Sequence, residues 1–300
     1  MSTHTPVHVS AAPAGPAPVR TAVGTAPAGP APRPAGPRIQ GRQTILRSVR
    51  AEWIKFWSLR STWITSFIAI ALTVLFGAGL TAALGQSEQY QDTAKDLITQ
   101  GLTFGQIVVA VLGALIITGE YSSGQIRSSL AAVPKRGRLL VAKAVVLAIV
   151  SFLLGSLSVF LSWAISKPFI GEHAGSLTDS HYAGYIWGSG LVFAVIALMA
   201  LGLGFLLRST AGTITVIVSL LFVITAPLQL AASKWDWVYK IIGCLPSTVS
   251  EAVSDPFQRT TEWGGQGAQF LTHGQAIAVF AAWALIPLIA AWFVFSRRDA

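Results

Sequence analysis

The 300-residue sequence has few charged side chains and a single cysteine. Only 11% of its residues are charged, against roughly a quarter in soluble globular domains. Together with a hydrophobic content of 53% and a mean hydropathy of +0.61, this scarcity argues against a soluble fold. The lone Cys244 excludes an intrachain disulfide and a thiolate metal cluster, so apolar packing must hold the chain together.

The motifs of common catalytic sites are missing as well. There is no Gly-x-x-x-x-Gly-Lys-Ser/Thr segment and no Gly-Lys dipeptide, which excludes a standard P-loop for ATP. The Gly-x-Ser-x-Gly elbow of serine hydrolases and the His-Glu-x-x-His pair of zinc peptidases are also absent. We therefore expect no catalytic residue, no metal site and no cofactor bound by this chain.

Six windows of the sequence are apolar over the roughly twenty residues that a membrane crossing requires. They run from Trp63 to Leu84, Leu102 to Thr118, Leu139 to Ser166, Tyr185 to Leu207, Thr210 to Ala232 and Gln275 to Phe295. An arginine at a bilayer centre costs about 2.5 to 3.5 kcal/mol, so Arg208 is interpreted as part of a surface hairpin between spans four and five. The predicted fold class is an all-α polytopic membrane protein with six transmembrane helices.

Ionisable side chains are almost absent from these spans, and only Glu120 and Lys143 approach span ends. Pumps and ion-coupled carriers usually hold such groups within the bilayer, because a moving charge needs a partner there. If the protein transports a substrate, we therefore expect its energy to come from an ATPase partner that docks on one face.

Basic residues are concentrated in alternate connections between the spans. The N-terminal region, the 119–138 loop with Lys143, the Arg208 turn and the C-terminus hold 16 basic and 3 acidic residues, whereas the other connections hold 5 and 9. By the positive-inside rule, we expect both termini in the cytoplasm and the chain in the cell (plasma) membrane. The net charge of +9 then reflects topology, and we expect no binding to nucleic acid.

Two segments precede the first span. Residues 1–41 are predicted to be a disordered cytoplasmic tail, since residues 1–37 hold nine of the fifteen prolines. Residues 42–62 are predicted to form an amphipathic helix in the plane of the membrane interface, in contact with lipid, because its apolar arc is rich in aromatic side chains. A helix packed on a soluble partner is the alternative. The functional residues expected in this helix are Trp53, Lys55, Trp57 and Arg60.

The loop after span two has the pattern of a short surface helix. Ile126, Leu130 and Val133 recur at helical spacing, and Pro134 with Gly137 ends the segment. We predict a helix of about two turns followed by a basic turn. An ordinary positive-inside loop is the alternative.

This loop resembles the signature of the type-2 export permeases of ATP-binding-cassette (ABC) transporters. The resemblance lies in a Glu at the end of span two, a Gly four residues later, Ile-Arg-x-x-Leu-x-x-x-Pro and a basic turn that leads to Leu-Leu-x-x-Lys. The matching residues are Glu120, Gly124, Ile126, Arg127, Leu130, Pro134, Arg136, Arg138, Leu139, Leu140 and Lys143. The resemblance extends over residues 42–300, and its N-terminal helix is similar to that of actinobacterial members. Gln125 stands where these signatures commonly have Thr.

The resemblance implies the permease subunit of an ATP-driven exporter, whose domain here spans residues 63–300. Two permeases, identical or different, would form the translocation path and bind separate ABC ATPase subunits that hold MgATP. The resemblance also implies that the segment from Glu120 to Pro134 is a cytoplasmic coupling helix and that residues 233–274 hold re-entrant or lid-like elements. The matching residues up to Arg138 are expected to contact the ATPase, with Glu120 and Arg127 as polar contacts to the ATPase or to the interfacial helix. A non-transporting regulatory or scaffold subunit, or less readily an intramembrane enzyme, is the alternative. The sequence does not indicate a substrate.

Overall fold

The computed structural model describes residues 15, 44–85, 87, 97–133, 135–171, 176, 180–255 and 271–297, with residues 180–182 as backbone only. The chain separates into two units, Met1–Arg42 and Gln43–Ala300, and every described element belongs to the second. Apart from Gly15, the predicted tail lies outside the described residues. Pro134 and residues 256–270 of the predicted lid-like segment lie outside them too.

The second unit is helical over most of its described part. In chain order the elements are α1 Ile45–Ser58, α2 Arg60–Leu84, α3 Leu102–Ser122, α4 Gln125–Ala132, α5 Arg136–Ile170, α6 Ser180–Leu207, α7 Thr210–Val218, a π-helical segment Ser219–Val223, α8 Thr225–Ala232, α9 Trp237–Gly243, α10 Pro246–Ser254 and α11 His273–Arg297. The predicted helix over residues 42–62 is thus two helices, because the extended backbone of Leu59 separates α1 from α2.

Within the described residues, six helical segments are long and apolar enough to cross a membrane. They are α2, α3, α5, α6, the stretch Thr210–Ala232 and α11. Each coincides with a predicted window, and the largest extension is in α5, which continues to Arg136 at one end and Ile170 at the other. The all-α polytopic fold class is confirmed.

The predicted hairpin between spans four and five is present. α6 ends at Leu207, and Arg208 turns the chain with a φ of 52°, the left-handed conformation that few residues other than glycine adopt. The side chain of Ser209 then caps the next helix, since its Oγ accepts a hydrogen bond from the Gly212 amide at 3.2 Å. The turn therefore reverses the chain within two residues.

α6 is the central helix, and small residues let its neighbours approach closely. A methyl group added to Gly113 of α3 would lie 2.3 Å from the Ala197 carbonyl oxygen of α6, and one on Gly155 of α5 would lie 2.4 Å from that of Ser189. In lipid the hydrophobic effect does not drive the association of apolar helices, so close backbone packing of this kind stabilises the bundle instead. In its most apolar window α6 is 67% buried, against 11% for the stretch Thr210–Ala232.

Contacts between the spans define two ends of the bundle. At the end here named the basic end, Lys55 pairs with Glu120, and Arg136 Nη1 donates to the Phe295 carbonyl oxygen at 3.2 Å. At the opposite end, the His273 ring nitrogen Nδ1 lies 3.0 Å from the Ala252 carbonyl oxygen. The helices α9 and α10 pack at this opposite end, within the segment where lid-like elements were expected.

Candidate functional site

Helix α1 packs on the bundle through a mixed polar and apolar face. Its buried residues are Ser48, Glu52 and Phe56, whereas Trp53 and Trp57 remain 36% and 40% exposed. The aromatic arc predicted to meet the membrane interface is thus free to do so. Glu52 lies on the buried side because its carboxylate pairs with a lysine of α5.

That lysine, Lys143, is the centre of a buried ion cluster. Its Nζ lies 2.8 Å from Glu52 Oε2 of α1 and 2.5 Å from Glu120 Oε1 of α3. Lys55 of α1 pairs with the same Glu120 oxygen. The ion cluster Glu52–Lys55–Glu120–Lys143 therefore joins α1, α3 and α5, three elements that are far apart in sequence.

The ion cluster is withdrawn from solvent. Lys143 is 2% exposed and Glu120 is 3% exposed, so both side chains give up most of their hydration. A buried charge is tolerated when it is paired, and here two lysines face two glutamates. The second oxygen of Glu120, Oε2, is buried without a hydrogen-bond partner among the described residues. Loss of either central residue would leave an uncompensated charge in the same place.

Helix α4 lies next to the ion cluster and is held by contacts with the protein core. Gly124, which precedes it, has a φ of 72°, a conformation that explains why glycine stands at this position. Ile126 is buried in the core, and Ser129 Oγ lies 3.4 Å from Lys55 Nζ. Leu130 packs, half-buried, against the core. These anchors leave Arg127 exposed on the outer surface.

The basic turn after α4 faces the protein more than the sequence indicated. Besides its hydrogen bond to α11, Arg136 places its guanidinium 5.9 Å from the centre of the Phe295 ring. Arg138 is half-buried and also has a partner. Glu120, predicted to contact the ATPase or the interfacial helix, is buried and pairs with Lys55 of α1 and Lys143 of α5. Arg60 is exposed at the start of α2.

Sequence reasoning missed two further contacts at the basic end. The Arg208 guanidinium lies 5.0 Å from the centre of the Tyr121 ring, and Thr118 Oγ1 lies 2.6 Å from Thr210 Oγ1. Together they join the start of span five to the end of α3. The residue types at these positions carry no signal of the pairing, because it depends on how the spans are arranged.

A cavity of about 330 Å³ adjoins the ion cluster between α1, α2, α3 and α5. Its lining includes the four charged residues of the cluster and apolar residues such as Phe56, Leu59 and Ile116. The ion cluster thus borders a small cavity.

This arrangement agrees with the comparison with known families. The model of the family described as "ABC-2 family transporter protein" matches residues 48–236, which is more than half of the chain. The chain belongs to the ABC-2 transporter family. The match begins in α1 and continues through span five, so it includes the ion cluster and α4. No curated protein matches the chain at a significant level.

Membership of the ABC-2 family defines the general role of the chain. It is a permease component of an ABC transporter, a multi-pass membrane protein that is not itself the catalytic subunit. The family also implies an ABC ATPase as its partner. Which surfaces meet that partner is not part of the family definition.

Proposed function

We propose that this ABC-2 permease is the membrane subunit of an ATP-driven exporter in the cell membrane. Two permease copies or homologues form the path, and two separate ATPase subunits bind and hydrolyse MgATP. The basic end faces the cytoplasm, in line with the excess of lysine and arginine in the connections on that side. The ATPase docks there, on α4 and the exposed side of α1.

The observation that carries this proposal is the ion cluster Glu52–Lys55–Glu120–Lys143. It fastens the surface helix α1 to the membrane spans α3 and α5 through buried charges. The surface helix α4 adjoins it through Ser129 Oγ, which lies 3.4 Å from Lys55 Nζ. Separating such pairs is strongly unfavourable in a site with little water. A push on α4 is therefore transmitted to the spans as a rigid-body movement rather than absorbed locally.

Arg127 is the residue of α4 best placed to meet the ATPase. It is exposed, and the neighbouring Gln125 and Ser128 are exposed as well. An arginine on such a surface offers a planar donor group for a carboxylate of a partner. Gly124 fixes the angle at which α4 leaves α3, while Ile126 and Leu130 hold its inner side.

The test measures ATP hydrolysis by the cognate ATPase, co-expressed with the permease and reconstituted in lipid nanodiscs. We expect Arg127→Glu to weaken co-purification and to lower permease-stimulated hydrolysis at least fivefold, because it reverses a charge at the docking surface. The matched control is Lys234→Glu, which reverses an exposed charge at the opposite end.

Unchanged binding and stimulation in Arg127→Glu would refute the docking surface. Binding without any stimulation by the wild-type chain would instead favour the regulatory or scaffold alternative. Proteolytic or lipid-transfer activity of the purified chain without ATP would favour the enzyme alternative.

A further inference from the structure

A second cavity, of about 550 Å³, opens at the opposite end of the bundle. It lies between the start of α3, the π-helical segment, α8, α9 and α10. This is the region between the bundle and its two short helices, far along the spans from the ion cluster. Nothing in the coupling role of the basic end requires a cavity here.

Several polar groups in the wall of this cavity lack a partner. Gln106 of α3 is 5% exposed, and its Oε1 has no hydrogen bond among the described residues. Thr225 Oγ1 and Ser247 Oγ are also buried without a partner in the described part of the chain. Buried polar atoms are nearly always hydrogen-bonded, so three such atoms around one cavity indicate an absent ligand or ordered water.

Two carboxyl groups lie on the same wall, one helical turn apart. Glu251 is in the last turn of α10, and Asp255 follows the end of that helix. The carbonyl end of a helix carries a partial negative charge, which adds to the field of both groups. Among the described residues, the wall contains no lysine, arginine or histidine, and no ion pair is formed by Glu251.

Glu251 lines the cavity, and its side chain is accessible to water. The surrounding protein nevertheless removes part of the hydration of its carboxyl group. This burial raises the pKa of its carboxyl group above the ordinary value. A positively charged ligand beside Glu251 would offset that penalty.

The rest of the wall supplies apolar surface and an unusual backbone. Leu102, Leu221 and Phe222 line the cavity, and the last two belong to the π-helical segment Ser219–Val223. Single π-helical turns are rare and occur frequently at functional sites. Here the π turn interrupts span five at the level where it borders the cavity.

We propose that this cavity is a binding site for a small organic cation that carries an amine or guanidinium group on an apolar body. Glu251 holds the positive group, Gln106 accepts a hydrogen bond through Oε1, and the apolar body lies against Leu221 and Phe222. The site belongs to the permease chain by itself. It does not depend on the ATPase docking surface proposed above.

The test uses the purified chain in nanodiscs without any ATPase, titrated by isothermal calorimetry. Three probes share one carbon skeleton and differ in their polar group: 4-phenylbutylamine, 4-phenylbutanol and 4-phenylbutyrate. We expect the amine to bind at least tenfold more tightly than the alcohol, and the carboxylate to show no binding. We expect Glu251→Gln to remove this preference for the amine.

Two further variants separate specific binding from partition into lipid. Gln106→Leu should weaken the amine and the alcohol alike, because it removes a hydrogen-bond acceptor that serves both. Asp236→Asn removes one exposed carboxylate at the same end, outside the cavity, and should leave all affinities unchanged. Thermal unfolding of each variant controls for folding.

Equal affinity of the amine for wild type and Glu251→Gln would overturn the proposal. So would equal affinity for amine and alcohol, or the absence of measurable binding of the amine at millimolar concentration. Because no ATPase is present, none of these results bears on the docking of the ATPase.

Discussion

The two ends of the bundle each hold a pair of carboxylates, in opposite surroundings. At the basic end, Glu52 and Glu120 are paired with two lysines in a site from which water is largely excluded. At the opposite end, Glu251 and Asp255 line an open cavity whose described wall has no basic residue. The paired charges at the basic end hold helices together, whereas the Glu251 carboxylate at the opposite end is available to a ligand.

The difference also separates mechanical from recognition roles. A buried ion cluster is sensitive to the loss of a central member, because the charge that remains in the protein loses its partner. Where a carboxylate is reached by water, its neutralisation is tolerated and can even stabilise the protein. The stability changes caused by substitutions at the two ends should therefore differ in size and in sign.

The largest effect is expected at Lys143. Lys143→Met removes the central cation and leaves Glu52 and Glu120 facing each other in a buried site, which should lower the free energy of unfolding by about 3 to 5 kcal/mol. Thermal unfolding followed by tryptophan fluorescence measures the loss. The control is Lys167→Met, at the far end of the same helix, where the exposed Lys167 lies 5.0 Å from the Trp163 ring centre. Similar losses in both variants would contradict the structural role of the ion cluster.

A smaller loss is expected at two glycines, one at each end. Gly124 before α4 and Gly171 after α5 have φ values of 72° and 56°, and an added Cβ at either position would meet open space. Alanine should lower stability by about 1 kcal/mol at Gly124, which has the left-handed conformation, and by more at Gly171, whose ψ of −127° is less accessible to alanine. Gly124→Ala alone should also lower ATPase stimulation, since it redirects α4. Equal ATPase activities in the two variants would argue against α4 as the coupling element.

The smallest effect is expected at Glu251, and its sign is reversed. The pKa of the Glu251 carboxyl is higher in the folded chain than in the unfolded chain. In the pH range between these two pKa values the native state binds more protons than the unfolded state, so the free energy of unfolding falls as pH rises. Glu251→Gln should match wild type at low pH and be more stable by about 0.5 kcal/mol above this window. Melting curves across pH measure the difference.

The matched control for this pH series is Asp236→Asn, at an exposed position outside the cavity. If Asp236→Asn changed the pH dependence of stability as much as Glu251→Gln does, the stability change could not be assigned to the cavity. A stability loss in Glu251→Gln as large as that of Lys143→Met would remove the contrast between the two ends.

Much of the fold was predictable because it depends on local properties. A membrane crossing requires only length and apolar composition, so all six spans could be placed from the sequence to within a few residues. Arg208 was correctly interpreted as a turn, since an arginine is disfavoured in the centre of a span. The two-turn helix after Gly124 followed from its spacing and from the family resemblance.

The candidate site was predicted only in part. The pattern identified Lys55 and Glu120 as separate candidates and the resemblance included Lys143, yet neither indicated that these residues meet one another and Glu52. The hydrogen bond from Arg136 to α11 was not indicated by the sequence either. A helical wheel ranks faces by hydropathy and has no term for an ion pair with a residue that is 91 positions away.

The sequence by itself determined that this chain crosses a membrane six times, to which family it is similar, and which connections carry the positive charge. Tertiary structure alone decided that four charged residues from three helices meet in one buried cluster. It also decided that residues of spans two and five and of α10 enclose an acidic cavity. Span formation is a local balance of hydration and length, but the partners of a charge depend on contacts that only the packed helices bring together.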